Sequence, residues 1–138
     1  MFHQFAPAEP KSDWEKIRND KAAMLEAVAQ NHRALEYASD ILKNDKEVVM
    51  VAVAQGRALE YASKELKDDK EVVMEAVTQN GYALIHASER LKNDKEIVMA
   101  AVVQNDFALE FASKALLNDG EFVMAVVRHV AALKQGDA

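Results

Sequence analysis

Asn93-Asp94-Lys95-Glu96-Ile97-Val98-Met99-Ala100-Ala101-Val102-Val103-Gln104-Asn105-Asp106-Phe107-Ala108-Leu109-Glu110-Phe111-Ala112-Ser113-Lys114-Ala115-Leu116-Leu117 is the stretch from which the fold can be read, because most of the chain repeats it. The copies begin at Asp20, Asp45, Asp69, Asp94 and Asp119, at spacings of 25, 24, 25 and 25 residues. The third and fourth copies agree at fifteen of 25 positions. The single deletion falls at Gln55-Gly56, where the other copies have Gln-Asn. That is expected to be a turn, where a lost residue shifts no packed position.

Each copy divides into two halves. In the first, Asn44, Asp68, Asn93 and Asn118 are each followed three residues later by Glu47, Glu71, Glu96 and Glu121. The spacing predicts capping boxes, with negative charge at the helix N-terminus. The first copy departs, with Ala22 in the glutamate position. Val48, Val49, Met50, Ala52 and Val53 then spread over about 200° of a helical wheel, so this helix has neighbours on more than one side. In the second half, Ala83, Leu84, Ala87, Ser88 and Leu91 recur at i, i+1, i+4, i+5 and i+8 and predict a second helix over 82–91 with a narrower apolar stripe. Asn80-Gly81 reads as a left-handed stop between the two. Helices of at most about ten to twelve residues are marginal alone in water, so stability must come from stacking.

The ends deviate in the manner of caps. Residues 1–11 carry both prolines and no periodicity and read as a flexible tail, leaving 12–136 as a single repeat domain. Ser12-Asp13-Trp14-Glu15 has a capping-box pattern, Ile17 falls in the column of Leu42, Leu66 and Leu91, and Trp14 is placed to cover the open end of the stack. At the other end the last copy lacks the Gln-Asn break, so it is expected to run on as one closing helix that stops near Gly136. There Val126 replaces the alanine of positions 27, 52, 76 and 101. The fold class is all-α: an α-solenoid of about four two-helix repeats, with an N-terminal half-repeat and a C-terminal capping helix. Met1 and the two caps give the expectation of a complete folding unit.

Composition narrows the function. With 50% hydrophobic residues, two prolines and four glycines in 138 residues, the chain has the make-up of one helical globular domain. No cysteine is present, so disulfides, thiolate metal sites and cysteine nucleophiles are excluded. A net charge of −6 with interleaved Lys and Asp argues against a nucleic-acid binder, which needs a basic stripe. The N-terminus lacks a basic start and an apolar core, and no apolar run approaches a membrane span, so a cytoplasmic protein is expected, with delivery into a host cell as the alternative.

The motif Asn-Asp-Lys-Glu-Val-Val-Met-x-Ala-Val-x-Gln-Asn-Gly-Tyr-Ala-Leu-x-x-Ala-Ser-x-x-Leu resembles the repeat family known as domain of unknown function 4116, over about residues 19 to 127. Two copies here correspond to one family unit of roughly fifty residues. The resemblance implies a repeated helical array like those of bacterial and protist proteins, some of them effector-like, and it implies no activity. There is a weaker likeness to leucine-rich variant repeats, another short two-helix solenoid, which supports the architecture alone.

Residue types that could carry chemistry mostly have structural readings. Ser39, Ser63, Ser88 and Ser113 fall mid-helix on the buried stripe and are expected to bond the carbonyl four residues back rather than to act as nucleophiles. The Asp-Lys-Glu triplets read as caps and solvated charge. Met24, Met50, Met74, Met99 and Met124 read as core filler. Gln30, Gln55, Gln79 and Gln104 end the first helices and are placed to ladder between repeats. His3, His32, His86 and His129 share no metal-ligand spacing, and phosphate-binding glycine loops are absent, so no cofactor is expected.

One surface feature remains. Outside the packed stripe, two columns four residues apart hold Arg33 with Tyr37, Arg57 with Tyr61, Tyr82 with His86, and Phe107 with Phe111. Stacking would align them into a ribbon grading from Arg/Tyr to aromatic, sharpened by Ile85 where Glu36, Glu60 and Glu110 stand elsewhere. Exposed aromatics and arginine are enriched at interfaces, although the same rings could simply finish the packing between neighbouring helices. The sequence therefore leads to the expectation of a non-enzymatic module that holds a protein or peptide along this ribbon, without nucleic acid or membrane. The alternative is a structural spacer or self-associating unit, with a homo-oligomer as its signature.

Overall fold

The structure, a computed structural model, describes residues 15–136. The expected tail, Ser12 and Trp14 lie outside the described residues. Repeat one comprises α1 (Lys21–Gln30), a 3₁₀ helix (His32–Tyr37) and α2 (Asp40–Lys43). Repeat two comprises α3 (Lys46–Val53) and two 3₁₀ helices, Leu59–Tyr61 and Leu66–Asp68. Repeat three has α4 (Lys70–Gln79), a 3₁₀ helix (Gly81–His86) and α5 (Glu89–Lys92), and repeat four has α6 (Lys95–Gln104), a 3₁₀ helix (Asp106–Phe111) and α7 (Lys114–Leu117). A single long helix, α8 (Gly120–Gly136), closes the stack as expected. No strand occurs among the described residues, and the fold is an all-α array of repeats.

Each long helix packs against its counterparts in adjacent repeats, and the 3₁₀ helices of repeats three and four pack on one another. Val48, Val49, Ala52 and Val53 of α3 are fully buried, as are Val72, Val73, Ala76 and Val77 of α4. This is the inner helix that the wide apolar arc implied. Among the described residues, every buried side chain of the core is apolar. Burying one Leu or Val is worth about 1.5–3 kcal/mol, and it is this shared core that holds helices too short to persist alone. The methionines divide: Met24 is fully buried, Met50, Met74 and Met99 are partly so, and Met124 is exposed.

The second half of the repeat is not one helix. In repeat three, Ala87 (φ −72°, ψ 158°) and Ser88 (φ −63°, ψ 160°) are extended and separate a 3₁₀ helix from a single α turn. The cause is a competing partner in the preceding repeat. The Ser88 N–H donates to the Lys67 carbonyl at 2.9 Å instead of entering its own helix. Its Oγ accepts from the Leu91 N–H at 3.2 Å and donates to Asp68 at 2.5 Å. Ser39, Ser63 and Ser113 repeat the arrangement, with Oγ donating to Asn19, Asn44 and Asn93 at 2.8, 2.6 and 2.6 Å. Ser39, Ser88 and Ser113 are therefore N-caps that staple one repeat to the one before it, Ser63 makes the same bonds at the turn before a 3₁₀ helix, and the expected bond to a carbonyl four residues back is corrected. Asn19 and Arg18 supply the partners for Ser39, and Ile17 packs on the core, so residues 15–20 are the N-terminal half-repeat.

The long helices start one residue later than the capping-box reading placed them. Asp20, Asp45, Asp69 and Asp94 are the N-caps; Asp45, for example, accepts from the Val48 N–H at 3.2 Å. The preceding Asn44 and Asn93 are C-caps of the short helices and are occupied by the serines. Glutamate then falls at the second helical position, too near the cap to reach back to it. It turns instead to the neighbouring repeat: Lys21 holds Asp45 and Glu47 at 3.1 and 2.9 Å, Lys46 holds Asp69 and Glu71 at 3.1 and 2.7 Å, and Lys70 holds Asp94 and Glu96 at 3.1 and 2.7 Å. Lys95 reaches Asp119 at 3.6 Å. Ala22 stands where repeat one would offer a glutamate to a preceding lysine and Gly120 where the last copy would offer a lysine to a following repeat, so the ladder runs from Lys21 to Asp119.

At the turns between halves the expectations hold in part. The Gln55 amide donates to the Val28 carbonyl and Gln104 accepts from the Gly81 N–H, both across repeats, whereas Gln79 bonds Glu75 of its own helix. Asn80-Gly81 is not a left-handed stop: Asn80 is extended (φ −153°) and caps the 3₁₀ helix by accepting from the Tyr82 N–H at 3.1 Å. Gly81 is required for space, since a Cβ there would lie 2.5 Å from the Ala101 carbonyl oxygen. The left-handed residue is Gly56 (φ 117°), at the deletion.

Candidate functional site

All four column pairs lie on one edge of the array, but the two columns do different work. Arg33, Arg57, Tyr82 and Phe107 are exposed; Tyr37, Tyr61, His86 and Phe111 are half-buried between repeats. Contacts run diagonally across repeat boundaries. Arg33 reaches the hydroxyl of Tyr61, and Tyr82 meets Phe111 edge-on with ring centroids 6.0 Å apart. The second column thus does finish the packing, while the first column presents side chains to solvent. Tyr82 (42% exposed), Ile85 (46%) and Phe107 (68%) make the apolar end of the ribbon, on repeats three and four.

The deletion shapes the middle of the ribbon. Losing one residue at Gln55-Gly56 shortens α3 to eight residues against ten in α1, α4 and α6, and cuts the following 3₁₀ helix to three residues from six. Beside the shortened elements, with Gly56 in its wall, lies a cleft of about 250 Å³, bordered by Arg57 and Glu60 from repeat two and by Asn80, Tyr82, Ile85 and His86 from repeat three. A volume of that order takes one large side chain of a ligand.

Burial, Glu60 and Glu36 push the Tyr61 hydroxyl up, and the hydrogen bond from Arg33 only partly opposes them. Burial holds His86 below its ordinary value of 6.5, despite Glu60 nearby, so the ring is neutral at pH 7 and adds to the apolar lining. His32 is likewise held down by burial and then by Arg33 and Arg57, which marks a local concentration of positive charge at the Arg-rich end. Arg57 makes no ion pair among the described residues, in contrast to Arg90, whose guanidinium holds Asp68 at 2.9 Å. Nowhere among the described residues do three or more His, Cys, Asp or Glu side chains gather as a metal site would need, and no helix is long and apolar enough to cross a membrane.

Glu60 and Asn80 join the expected residues at the cleft, which the columns alone do not reveal because it lies at a missing residue. The deletion itself was the available signal. A second feature also escapes the columns: an apolar groove of about 340 Å³ between repeat four and α8, walled by Val102, Leu109, Val126 and Val130.

Stacked short helices, stapled repeat to repeat and carrying a variable ribbon along one edge, define a helical-repeat solenoid. The profile of the family described as Domain of unknown function (DUF4116) matches residues 20–67, 45–92, 69–117 and 94–135, and the chain belongs to that family. The four matches start at Asp20, Asp45, Asp69 and Asp94, the N-caps of the four long helices, and each spans about two structural repeats. No curated protein and no solved structure matches the chain.

Proposed function

We propose that the chain is a non-enzymatic interaction module that holds a protein or peptide along the ribbon, at its apolar end on repeats three and four. The observation that carries this reading is the exposure of Tyr82, Ile85 and Phe107 in columns that repeats one and two fill with Arg and Glu. Apolar side chains cost solubility when left in water, and aromatics in such a patch are the common anchors of interfaces. Of the three, Tyr82 also packs edge-on against Phe111. The test is capture of partners from the native host by the wild-type chain and by a variant with Tyr82, Ile85 and Phe107 all replaced by serine. Loss of specific partners by a variant that keeps its helical circular dichroism and cooperative melt supports the reading; identical capture by both proteins removes it.

Self-association is the second reading, and one observation favours it. On α8, the helix that no further repeat covers, Met124 (52% exposed), Val127 (51%) and Leu133 (45%) are exposed, and Val127 lines the apolar groove. A mass that rises with concentration in light scattering, and returns to that of one chain in Met124→Glu/Val127→Glu, identifies this face as the contact.

A further inference from the structure

We propose, resting on the interaction-module reading, that the cleft at the deletion recognises a peptide segment carrying an acidic side chain next to a large apolar one. The acid would pair with Arg57 and the apolar group would bed against Tyr82 and Ile85.

Repeat three lacks a carboxylate that the other three repeats carry. Glu36, Glu60 and Glu110 occupy one column in repeats one, two and four; in repeat three that position is Ile85. Ile85 and Arg57 border the same cleft. The substitution sets an apolar side chain in the cleft that Arg57, without an ion pair among the described residues, also borders. A ligand carboxylate would give Arg57 a partner beside that apolar wall. Charge-assisted pairing and burial of a large side chain then reinforce each other in one small volume.

The remaining groups at the cleft narrow the ligand. Glu60 lies on the same rim, so a polyanion such as nucleic acid would bring phosphate against a carboxylate. A single carboxylate seated on Arg57 meets less of that repulsion than a run of phosphates, and Asn80 leaves a polar group at the rim for peptide backbone. The net charge of −6 further disfavours a polyanionic partner.

The probe is a pool of short fluorescein-labelled peptides, each with one Glu and, two to four residues later, one Leu or Phe, in a Gly/Ser/Ala background. Matched pools carry Gln or Lys in place of Glu, and a labelled single-stranded oligonucleotide serves as the polyanion. Fluorescence anisotropy should show the Glu pool binding about fivefold or more tighter than the Gln pool. Ile85→Glu should erase that preference by giving Arg57 an internal partner, and Arg57→Glu should turn it toward the Lys pool. Ile41→Glu, exposed and outside the cleft, should leave it unchanged. Equal binding of the Glu and Gln pools, a preference that survives Arg57→Glu, tighter binding of the oligonucleotide, or no binding of any pool up to millimolar concentration each overturns the proposal. If ribbon-dependent capture from the host persists while the Glu preference is absent, carboxylate recognition fails and the interaction module stands; if both are absent, both fail.

Discussion

Replacing Ser113 by alanine separates the staple from a mid-helix serine. In the structure Ser113 caps α7 by accepting from the Leu116 N–H at 3.1 Å, and its hydroxyl donates to Asn93 of the preceding repeat boundary at 2.6 Å. Loss of an N-cap costs about 0.5–2 kcal/mol, and loss of a neutral hydrogen bond about 0.5–1.5 kcal/mol. The two together give about 2 kcal/mol, a large share of the roughly 7–20 kcal/mol expected for a chain of this length. Asn93→Ala should cost only the second part, about 1 kcal/mol, because Ser113 keeps its cap. The double variant should then show a coupling of about 1 kcal/mol between the two sites. Urea unfolding followed by circular dichroism at a fixed protein concentration gives all four corners of the cycle. A mid-helix serine would behave oppositely, since alanine is the better helix former. A neutral or stabilising Ser113→Ala with no coupling to Asn93 would refute the staple.

The glycines give a paired prediction: Gly81→Ala should destabilise by about 1–3 kcal/mol because its Cβ would meet the Ala101 carbonyl oxygen at 2.5 Å, while Gly120→Ala, with nothing within 4 Å, should stabilise by about 0.5–1 kcal/mol. Thermal melts of both variants check the difference in sign. Leu84→Ala, at a fully buried site in repeat three, should cost about 2–5 kcal/mol in the same melts. The ion-pair ladder predicts a two-sided pH profile. Partial burial pushes Asp45, Asp69 and Asp94 up, but the combined hydrogen bonds from backbone N–H groups and the preceding lysine hold them below the ordinary 3.8. Their contribution is complete above the unfolded value and is lost as pH falls through the folded ones. Lys21, Lys46 and Lys70 are raised above 10.5 by their Glu and then Asp partners, so their contribution is complete below 10.5 and is lost at higher pH. Melting temperature should be flat from about pH 7 to 9, fall slightly below pH 7 because His32 and His86, held down by burial, protonate more readily in the unfolded chain, and fall steeply below about pH 4 and above about pH 10 as the ladder is lost; Lys70→Gln should weaken the acid limb below about pH 4, and an unchanged limb there would count against the ladder.

The fold was legible wherever a single segment's periodicity decided the outcome. The wide apolar arc of Val48, Val49, Ala52 and Val53 identified the inner helix, and the missing Gln-Asn break identified α8. It was illegible wherever a partner in the next repeat decided. Ala87 and Ser88 fit a helical stripe by spacing, yet the Lys67 carbonyl and Asp68 draw Ser88 out of the helix. Adjacent Asn93 and Asp94 can each cap a helix, and only the position of Ser113 assigns them to different ones. The ribbon was legible as a set of columns because its residues share a face. Its division into a packing column and an exposed column was not, because that depends on how closely repeats stack. The cleft was least legible of all, since it lies where a residue is absent at Gln55-Gly56.

Amide chemical-shift mapping of the ¹⁵N-labelled chain, titrated with the tightest peptide from the Glu pool, tests the central claim most directly. Binding at the ribbon predicts shifts confined to residues 56–61, 80–86 and 105–111, lost in Ile85→Glu. Shifts centred instead on α8 and its groove at residues 124–134, or spread evenly along all four repeats, would contradict it.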